Sequence, residues 1–413
     1  MTPLAAFGGT PVRSDAFPAW PQFDSGESKA LQRVLESRQW WSSQGTEVRS
    51  FESEWREFTG AEHAVAMTNG TNTLEAALLS LGVGEGDEVI VPDWSFFATI
   101  AAILSINAIP IIVDVDPRTG TIDPELIEPA ITDRTRAIVV VHVSGSVADM
   151  DAICAIASAR DLRVLEDCAH AHGSTWRGQH VGTLGDAGSF SFQASKLMTA
   201  GEGGIVITQH ADIGEMLDSY VNCGRDPGTW YYRHFRLGEN WRMTEWQGAV
   251  LRRQLDRFPQ QQANRASNAN FLNQELGKLP GVTPQGRLDG CDSQGNYCYV
   301  VFLDQERIGA TRNQVRSALL AEGIPLTTSY PPMHQFDLFK DRNGLAPRLR
   351  EFSRYPAYSS QSFPVTERLA STSLWFTTSV LMGSREDARD VVRALEKVLQ
   401  SPDQLAKVDG VEY

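Results

Sequence analysis

Seven short runs of apolar and β-branched residues alternate with helical patterns between about residue 60 and residue 210. The runs are HAVAM, DEVIVP, AIPIIVDV, RAIVVVHV, LRVLED, GSFSF and GIVIT. Between most of them lie segments such as NTLEAALLSLG and SVADMDAICAIASARD, which carry apolar residues at helical spacing. This alternation predicts an α/β fold with a mostly parallel sheet that is covered by helices on both faces.

The pattern changes after about residue 265. RASNANFLNQELGKL and TRNQVRSALLAEG predict helices, YCYVVFL predicts a strand, and SREDARDVVRALEKVLQ predicts a terminal helix. A chain of 413 residues is long enough for one large domain and a smaller one. We therefore expect a large domain with an N-terminal arm over residues 1–265 and a small α+β domain over residues 266–413.

Composition and charge narrow the classes of partner. The formal net charge is −14 and no long basic run occurs, so most of the surface would repel a phosphate backbone. No stretch of eighteen apolar residues is present, and the first residues carry no basic leader. The five cysteines form no CxxC pair and no metal-ligand spacing. We expect a cytoplasmic protein that binds small molecules, without nucleic acid, membrane or metal.

Three predicted strand ends carry polar side chains, and ligands of such sheets bind beyond the carboxyl ends of the strands. After HAVAM, Gly70 and Thr71 begin a helix whose N-terminus favours an anion. LRVLED ends in Asp167, and GSFSF leads through Ser191 to Lys196. Taken singly, these residues also fit plainer roles as a helix cap, a buried acid that holds a loop and a surface lysine.

An anion site, a strand-end carboxylate and a strand-end lysine together match the needs of one cofactor. Pyridoxal phosphate (PLP) requires a lysine for its Schiff base, a carboxylate that keeps its pyridine nitrogen protonated, and donors for its phosphate. Lys196 lies among apolar and small residues in SFQASKLMTAGEGG. Such surroundings lower the pKa of an amine, so we expect its neutral, nucleophilic form to be accessible.

The order of six motifs resembles the DegT/DnrJ/EryC1/StrS family of sugar and cyclitol aminotransferases. The motifs are TNGTNTLEAAL, VPDWSFFAT, VHVSGSVADMD, EDCAHAHG, GTLGDAGSFSFQASKLMTAGEGG and GENWRMTEWQGAV. The resemblance implies the aspartate aminotransferase-like fold, called fold type I. That fold has a large domain with a mostly parallel seven-stranded sheet and a small C-terminal α+β domain. The resemblance also implies PLP as the cofactor.

The positions of residues within these motifs imply their roles toward the cofactor. Lys196 is the expected Schiff-base lysine, and Asp167 is the expected partner of the pyridine nitrogen. Ser191 and Thr71, with the turn at Gly70, are expected to hold the phosphate.

Five further residues complete the expected site. The resemblance implies that Phe96 stacks on the cofactor ring and that His170 hydrogen-bonds the ring hydroxyl group. Asn240 matches an asparagine that reaches the phosphate of the neighbouring subunit, so a homodimer with shared active sites is expected. Tyr330 and His334 of YPPMHQ are expected to contact the acceptor substrate.

The resemblance predicts amino-group transfer from glutamine or glutamate to a keto-cyclitol or ketosugar in antibiotic or other secondary metabolism. FPAWPQFD, ESRQWW and YPPMHQ resemble the glutamine-dependent scyllo-inosose aminotransferases and 3-amino-5-hydroxybenzoate synthase. TNGT is closer to the synthase, whereas YPPMHQFDLF is closer to the cyclitol enzymes, so the acceptor stays open. The alternative is a PLP-dependent dehydratase or aromatising synthase. A regulatory protein with a decayed site is a third hypothesis, which the intact lysine and aspartate disfavour.

Overall fold

The computed structural model describes residues 3–226, 232–340 and 355–410. The helices in these residues are α1 (Ser25–Ser37), α2 (Glu47–Thr59), α3 (Gly70–Ser80), α4 (Phe97–Ser105), α5 (Ile127–Ala130), α6 (Met150–Ala159), α7 (Ala211–Val221), α8 (Glu245–Leu276), α9 (Gln305–Ile308), α10 (Arg312–Ala321), α11 (Asp337–Lys340), α12 (Pro364–Thr372), α13 (Ser379–Met382), α14 (Arg385–Leu399) and α15 (Pro402–Leu405). The strands are β1 (His63–Met67), β2 (Glu88–Pro92), β3 (Ile109–Val113), β4 (Thr135–Val141), β5 (Arg163–Asp167), β6 (Thr175–Trp176), β7 (Gln179–His180), β8 (Ala187–Ser191), β9 (Gly204–Thr208), β10 (Val282–Pro284), β11 (Cys291–Ser293), β12 (Cys298–Leu303), β13 (Leu326–Thr327) and β14 (Ser373–Thr377).

The main sheet has seven strands in the order β1-β9-β8-β5-β4-β2-β3. β9 runs antiparallel to both of its neighbours, and the other neighbouring pairs are parallel. Each of the seven apolar runs in the sequence forms one of these strands. The predicted α/β fold with a mostly parallel sheet is therefore confirmed.

Helices cover both faces of this sheet, as the nearly continuous apolar strands require. Alternate residues of β4 enter opposite layers: Val139 packs with the layer that contains α3 and α4, and Val140 packs with the layer that contains α2 and α6. All residues of β2, β8 and β9 are buried. The strands at the centre of the sheet are thus held from both sides.

A second, antiparallel sheet has the order β10-β12-β14-β13. Apolar residues of α10 and α14 cover one of its faces, and Trp375 on its other face packs edge-on against Trp94, with 5.5 Å between the ring centroids. Trp94 follows β2, so this contact joins the second sheet to the layer above the first.

Helix α8 begins at Glu245, well before the segment in which the sequence predicted a helix. The prediction was short because Pro259 lies inside α8, and a proline usually ends or interrupts a helix. Residue 265 lies within α8, and Leu4 packs in the core of the C-terminal sheet. The division of the chain at residue 265 stays a prediction. Among the described residues, no helix is both long and apolar enough to cross a bilayer.

Candidate active site

One edge of the main sheet collects the predicted site residues. β5 and β8 are parallel neighbours, so Asp167 and Ser191, the last residues of the two strands, lie at the same edge. Ser191 pairs with Gly204 of β9, which brings the preceding loop to this edge, and Gly204 in turn pairs with Met67 at the end of β1. The fold therefore gathers three separate motifs at one place.

A cavity of about 330 Å³ opens at this edge. Its volume falls in the range of small-molecule sites, roughly 300–1,000 Å³. Of the predicted site residues, those that line it are Gly70, Thr71, Phe96, Asp167, His170, Ser191, Lys196 and Tyr330.

Lys196 lies in the loop after β8, and only 8% of its surface is exposed. Its main-chain N–H donates to the carbonyl oxygen of Gln193 at 2.8 Å, which fixes the turn that carries it. Burial lowers the pKa of Lys196 to about 8, against the opposing influence of Asp167 and Cys298. A substantial fraction of the amine is therefore neutral near physiological pH.

Asp167 is held in place by two donors. The Thr99 hydroxyl donates to Oδ2 at 2.8 Å, and the Ala169 main-chain N–H donates to Oδ1 at 3.2 Å. Burial raises the pKa of Asp167, and the hydrogen bonds from Thr99 and Ala169, with the charge of Lys196, oppose that rise. Among the described residues Asp167 forms no ion pair, and a buried carboxylate of this kind is suited to pair with a protonated nitrogen of a ligand.

The N-terminus of α3 forms a cradle against the end of β8. Asn69 caps the helix by accepting from the Asn72 main-chain N–H at 2.9 Å. Gly70 approaches Ser191 so closely that a Cβ atom on Gly70 would lie 2.5 Å from the Ser191 Cβ. The N–H groups of the helix start and the hydroxyls of Thr71 and Ser191 border the cavity here, as an anion requires.

His170 is buried and neutral, in one defined tautomer. Its Nδ1 accepts from the Ser144 main-chain N–H at 3.2 Å, so its proton lies on Nε2 and is donated to the Tyr330 hydroxyl oxygen at 3.1 Å. Burial and the nearby Lys196 lower the pKa of His170 well below its usual value. The single N–H of His170 is thus donated to Tyr330 at the cavity wall, and a contact of His170 with the ring hydroxyl group of the cofactor stays a prediction.

Tyr297 lines the cavity and was missed by sequence reasoning. Its ring stacks on His170 with 4.2 Å between centroids, and the Nζ atom of Lys196 lies 4.7 Å from its centroid. Its hydroxyl group lies 2.9 Å from Ser195 Oγ. Tyr297 precedes β12, in a segment where no motif points to function, so the sequence held no signal for this residue.

Thr99 and Glu202 were also missed, although both lie in motifs that the sequence analysis quoted. Thr99 ends VPDWSFFAT and lies within α4, which Phe96 caps. Glu202 lies in TAGEGG and lines the cavity. The position of Thr99 three residues after Phe96, on the same helix face, was the signal that could have found it.

Asn240 and His334 do not line the cavity. Asn240 is exposed and its backbone pairs with Asn222 in an isolated bridge. His334 is buried, with its Nδ1 2.7 Å from Asp93 Oδ2. The expected contact between His334 and an acceptor substrate therefore finds no support in this geometry.

A second buried cluster lies beside the site, where His142, Glu166 and Cys168 approach one another. The Glu166 carboxylate accepts from the main-chain N–H groups of Gly182, Leu184 and Gly185 and lies 3.1 Å from His142 Nε2. Its oxygens are thus fully engaged in holding the loop before β8.

These features define a PLP-dependent enzyme of fold type I. The chain belongs to the DegT/DnrJ/EryC1/StrS aminotransferase family, whose model matches residues 21–396. It is an aminotransferase. The family resemblance, the fold type and the cofactor expected from the sequence are confirmed.

Three comparisons describe its similarity to known proteins. The chain is 42% identical to a Streptoalloteichus tenebrarius protein provisionally named L-glutamine:3-amino-2,3-dideoxy-scyllo-inosose aminotransferase, over 97% of this chain and 99% of that one. It is 37% identical to 3-amino-5-hydroxybenzoate synthase of Amycolatopsis mediterranei, over 91% of this chain and 95% of that one. The crystal structure of a 3-amino-5-hydroxybenzoic acid synthase matches with a TM-score of 0.85 at 35% identity, over 93% of this chain and 99% of that one.

The residues present fit PLP. Lys196 supplies a buried amine, Asp167 supplies a buried carboxylate, and the absence of a side chain at Gly70 lets the start of α3 approach Ser191, where both residues border the cavity. When bound, PLP withdraws electrons from the substrate carbon that carries the amino group, so that a proton on this carbon becomes acidic.

Gly70→Ala will weaken the binding of PLP to the apoprotein by roughly tenfold or more, because the added Cβ meets Ser191 and displaces a wall of the cradle. Fluorescence titration of the apoprotein with PLP measures the affinity. Gly84→Ala is the control, since a Cβ there meets nothing within 4 Å. Unchanged affinity in Gly70→Ala would show that the phosphate binds elsewhere.

Tyr297→Leu will lower the pKa of Lys196 further, because the ring face attracts the ammonium form and leucine removes that attraction while keeping the site apolar. The expected decrease is about 0.5 to 1 pH unit. The pH dependence of the reaction of apoprotein Lys196 with trinitrobenzenesulfonate, located by peptide mapping, measures it. Tyr297→Phe keeps the ring and should keep the pKa; equal shifts in both variants would contradict a role of the ring.

Proposed function

We propose that this enzyme transfers the amino group of L-glutamine to a keto-cyclitol or ketosugar. The observation that carries the proposal is a cavity that combines Lys196 and Asp167 with a wall of aromatic rings and hydroxyl groups. The 42% identical relative is named for glutamine and a scyllo-inosose, which supports this donor and this class of acceptor. Glutamate is the alternative donor. We also propose that the enzyme is cytoplasmic and that it acts in antibiotic biosynthesis.

Each reacting residue has one task in this proposal. Lys196 would hold the cofactor; when its amine is free, it would take the proton from the amino-bearing carbon of the donor and, in the second half-reaction, would give a proton to the carbon of the acceptor that receives the amino group. With a pKa of about 8, its neutral form is available for this step. Asp167, fixed by Thr99, keeps the ring nitrogen protonated. Thr71 and Ser191 hold the phosphate, so the reacting atoms stay beside Lys196.

The walls of the cavity favour a polyhydroxylated ring. Phe96 is 52% exposed and is expected to stack on the cofactor ring, and its ring centroid lies 5.9 Å from that of Tyr330. Tyr330 therefore lies beside the expected cofactor position, where its ring is available to the carbon side of a sugar or cyclitol. A dicarboxylate substrate needs a guanidinium group for bidentate binding. Among the described residues that line the cavity there is no arginine.

We further propose a homodimer with shared active sites, in which Asn240 of one subunit serves the phosphate held by the other. Asn240 is exposed on a single chain and lies near a cluster of exposed apolar side chains, Tyr232, Phe235 and Leu237, of which Leu237 is 94% exposed. Exposed apolar side chains in one segment are typical of a surface that another protein covers.

An aromatising synthase is the second candidate function. The 37% identical synthase and the similar synthase structure favour it. The two candidates differ in product: a transferase yields an amino ring and a keto acid from glutamine, whereas the synthase reaction yields an aromatic ring that absorbs in the ultraviolet.

The proposed function predicts a clear order of acceptors. After glutamine has loaded the enzyme with its amino group, 2-deoxy-scyllo-inosose or a ketosugar will discharge it at least about tenfold faster than oxaloacetate or pyruvate, because the described residues that line the cavity include no arginine to bind a keto-acid carboxylate in bidentate fashion. Stopped-flow absorbance of the bound cofactor measures the rates. Faster discharge by the keto acids would overturn the proposed acceptor, and an aromatic product would favour the synthase.

Shared sites predict complementation between two inactive variants. A hybrid of Asn240→Ala and Lys196→Ala subunits places both lesions in one site and leaves the other intact, so it should recover about half of the wild-type activity. Subunits are mixed under mild denaturation, and differently tagged hybrids are purified and assayed. The control hybrid joins Lys196→Ala to Asp167→Asn and should stay inactive. An inactive Asn240/Lys196 hybrid would contradict sharing.

A further inference from the structure

A buried ion pair lies outside the cavity, between the end of β2 and the loop after β13. Asp93 has no exposed surface, and His334 is almost fully buried. The Nδ1 atom of His334 lies 2.7 Å from Asp93 Oδ2, and the His334 main-chain N–H donates to Asp93 Oδ1 at 2.8 Å. Both oxygens of this carboxylate are thus engaged by a single residue.

Two more hydrogen bonds tie the same segments together. The Met333 main-chain N–H donates to the Asp93 carbonyl oxygen at 2.8 Å, and the Trp94 indole N–H donates to the Tyr330 carbonyl oxygen at 3.0 Å. Asp93 and Trp94 therefore bind the loop at both ends of the segment 330–334. We call these four interactions the Asp93–His334 clamp.

The clamp connects the two chain segments that carry Phe96 and Tyr330, which both line the cavity. Phe96 follows Asp93 by three residues, and Tyr330 precedes His334 by four. Their rings lie 5.9 Å apart, and the Tyr330 hydroxyl group accepts from His170. A change in the clamp is therefore expected to move Tyr330 relative to Phe96. Asp167 and Ser191 lie at the ends of β5 and β8, and Lys196 lies in the loop after β8, so all three are outside the clamp.

Nearby negative charges favour the protonated form of His334, which strengthens its pairing with Asp93. Burial opposes the charged form of His334, but its hydrogen bond to Asp93 and the charges of Asp93, Glu367 and Asp114 together raise its pKa. Glu367 Oε1 lies 3.5 Å from His334 Nε2. Removing one partner leaves a buried charge without compensation, which is far more unfavourable than losing a surface pair.

We propose that Asp93 and His334 are positioning residues that set the acceptor side of the cavity by holding Tyr330 against Phe96. The proposal rests on the proposed function for the nature of the acceptor. It assigns His334 a role through Tyr330 and not a contact with substrate. The proton transfers of the donor reaction are assigned to Lys196 and Asp167, which lie outside the clamp, so we expect the donor half-reaction to change less than the acceptor half-reaction.

Asp93→Asn and His334→Ala test this role in the PLP-loaded enzyme. Both should raise the KM for 2-deoxy-scyllo-inosose by roughly tenfold or more, while the rate of the half-reaction with glutamine stays within about twofold of the wild type. His334→Asn can donate from Nδ2 to Asp93 and should recover part of the loss. Asp337→Asn is the control, because that side chain lies close by in sequence and is 95% exposed.

Hydrogen exchange on the apoprotein gives a second readout. The amide proton of His334 loses its acceptor, Asp93 Oδ1, in Asp93→Ala and should exchange at least about tenfold faster in that variant than in the wild type, whereas the Met333 amide keeps its main-chain acceptor. Unchanged exchange, an unchanged acceptor KM, or equal losses in both half-reactions would each overturn the positioning role. If the wild type accepts no ketone from a cyclitol and ketosugar panel, the proposed function fails. The exchange rates still test whether Asp93 holds the segment 330–334 in place.

Discussion

The parallel register of the main sheet is the constraint on which the cavity depends. β2, β4, β5 and β8 lie side by side in one direction, so their carboxyl ends share an edge. β9 returns antiparallel and places the loop before Gly204 at the same edge. Because helices bury both faces of these strands, their ends cannot shift separately. Asp167 and Ser191 are therefore fixed relative to each other by core packing, as catalytic geometry demands.

The same burial sets the chemistry of the site. Low polarity disfavours charge on every group there, so the pKa of Lys196 falls to about 8 and the pKa of His170 falls well below its usual value. Hydrogen bonds from Thr99 and Ala169 stabilise the charged form of Asp167 and so oppose the rise of its pKa that burial causes. As a result, Lys196 can gain and lose a proton near neutral pH, whereas His170 stays neutral and donates a hydrogen bond to Tyr330.

More of the residues expected to contact the cofactor than of those expected to contact the substrate line the cavity, for a physical reason. Asp167, Ser191 and Lys196 follow strands whose apolar runs are unmistakable, and parallel strands bring their ends together in any fold of this class. The contact of Tyr297 with Lys196 depends on how the second sheet packs on the first, which local patterns do not encode. The pairing of His334 with Asp93 depends on the same tertiary packing, across residues far apart in the chain.

This difference also explains why the motifs identify the cofactor but leave the acceptor open. The motifs lie on strand ends of one rigid sheet, where PLP imposes the same needs on every member of the family. In our proposal Tyr330 contacts the acceptor, and its position beside Phe96 is held by hydrogen bonds between a strand end and a loop of the other sheet. Small changes in that loop alter the shape of the cavity without moving Lys196. On this proposal, acceptor specificity depends on Tyr330 and its loop, whereas amino transfer depends on Lys196 and Asp167.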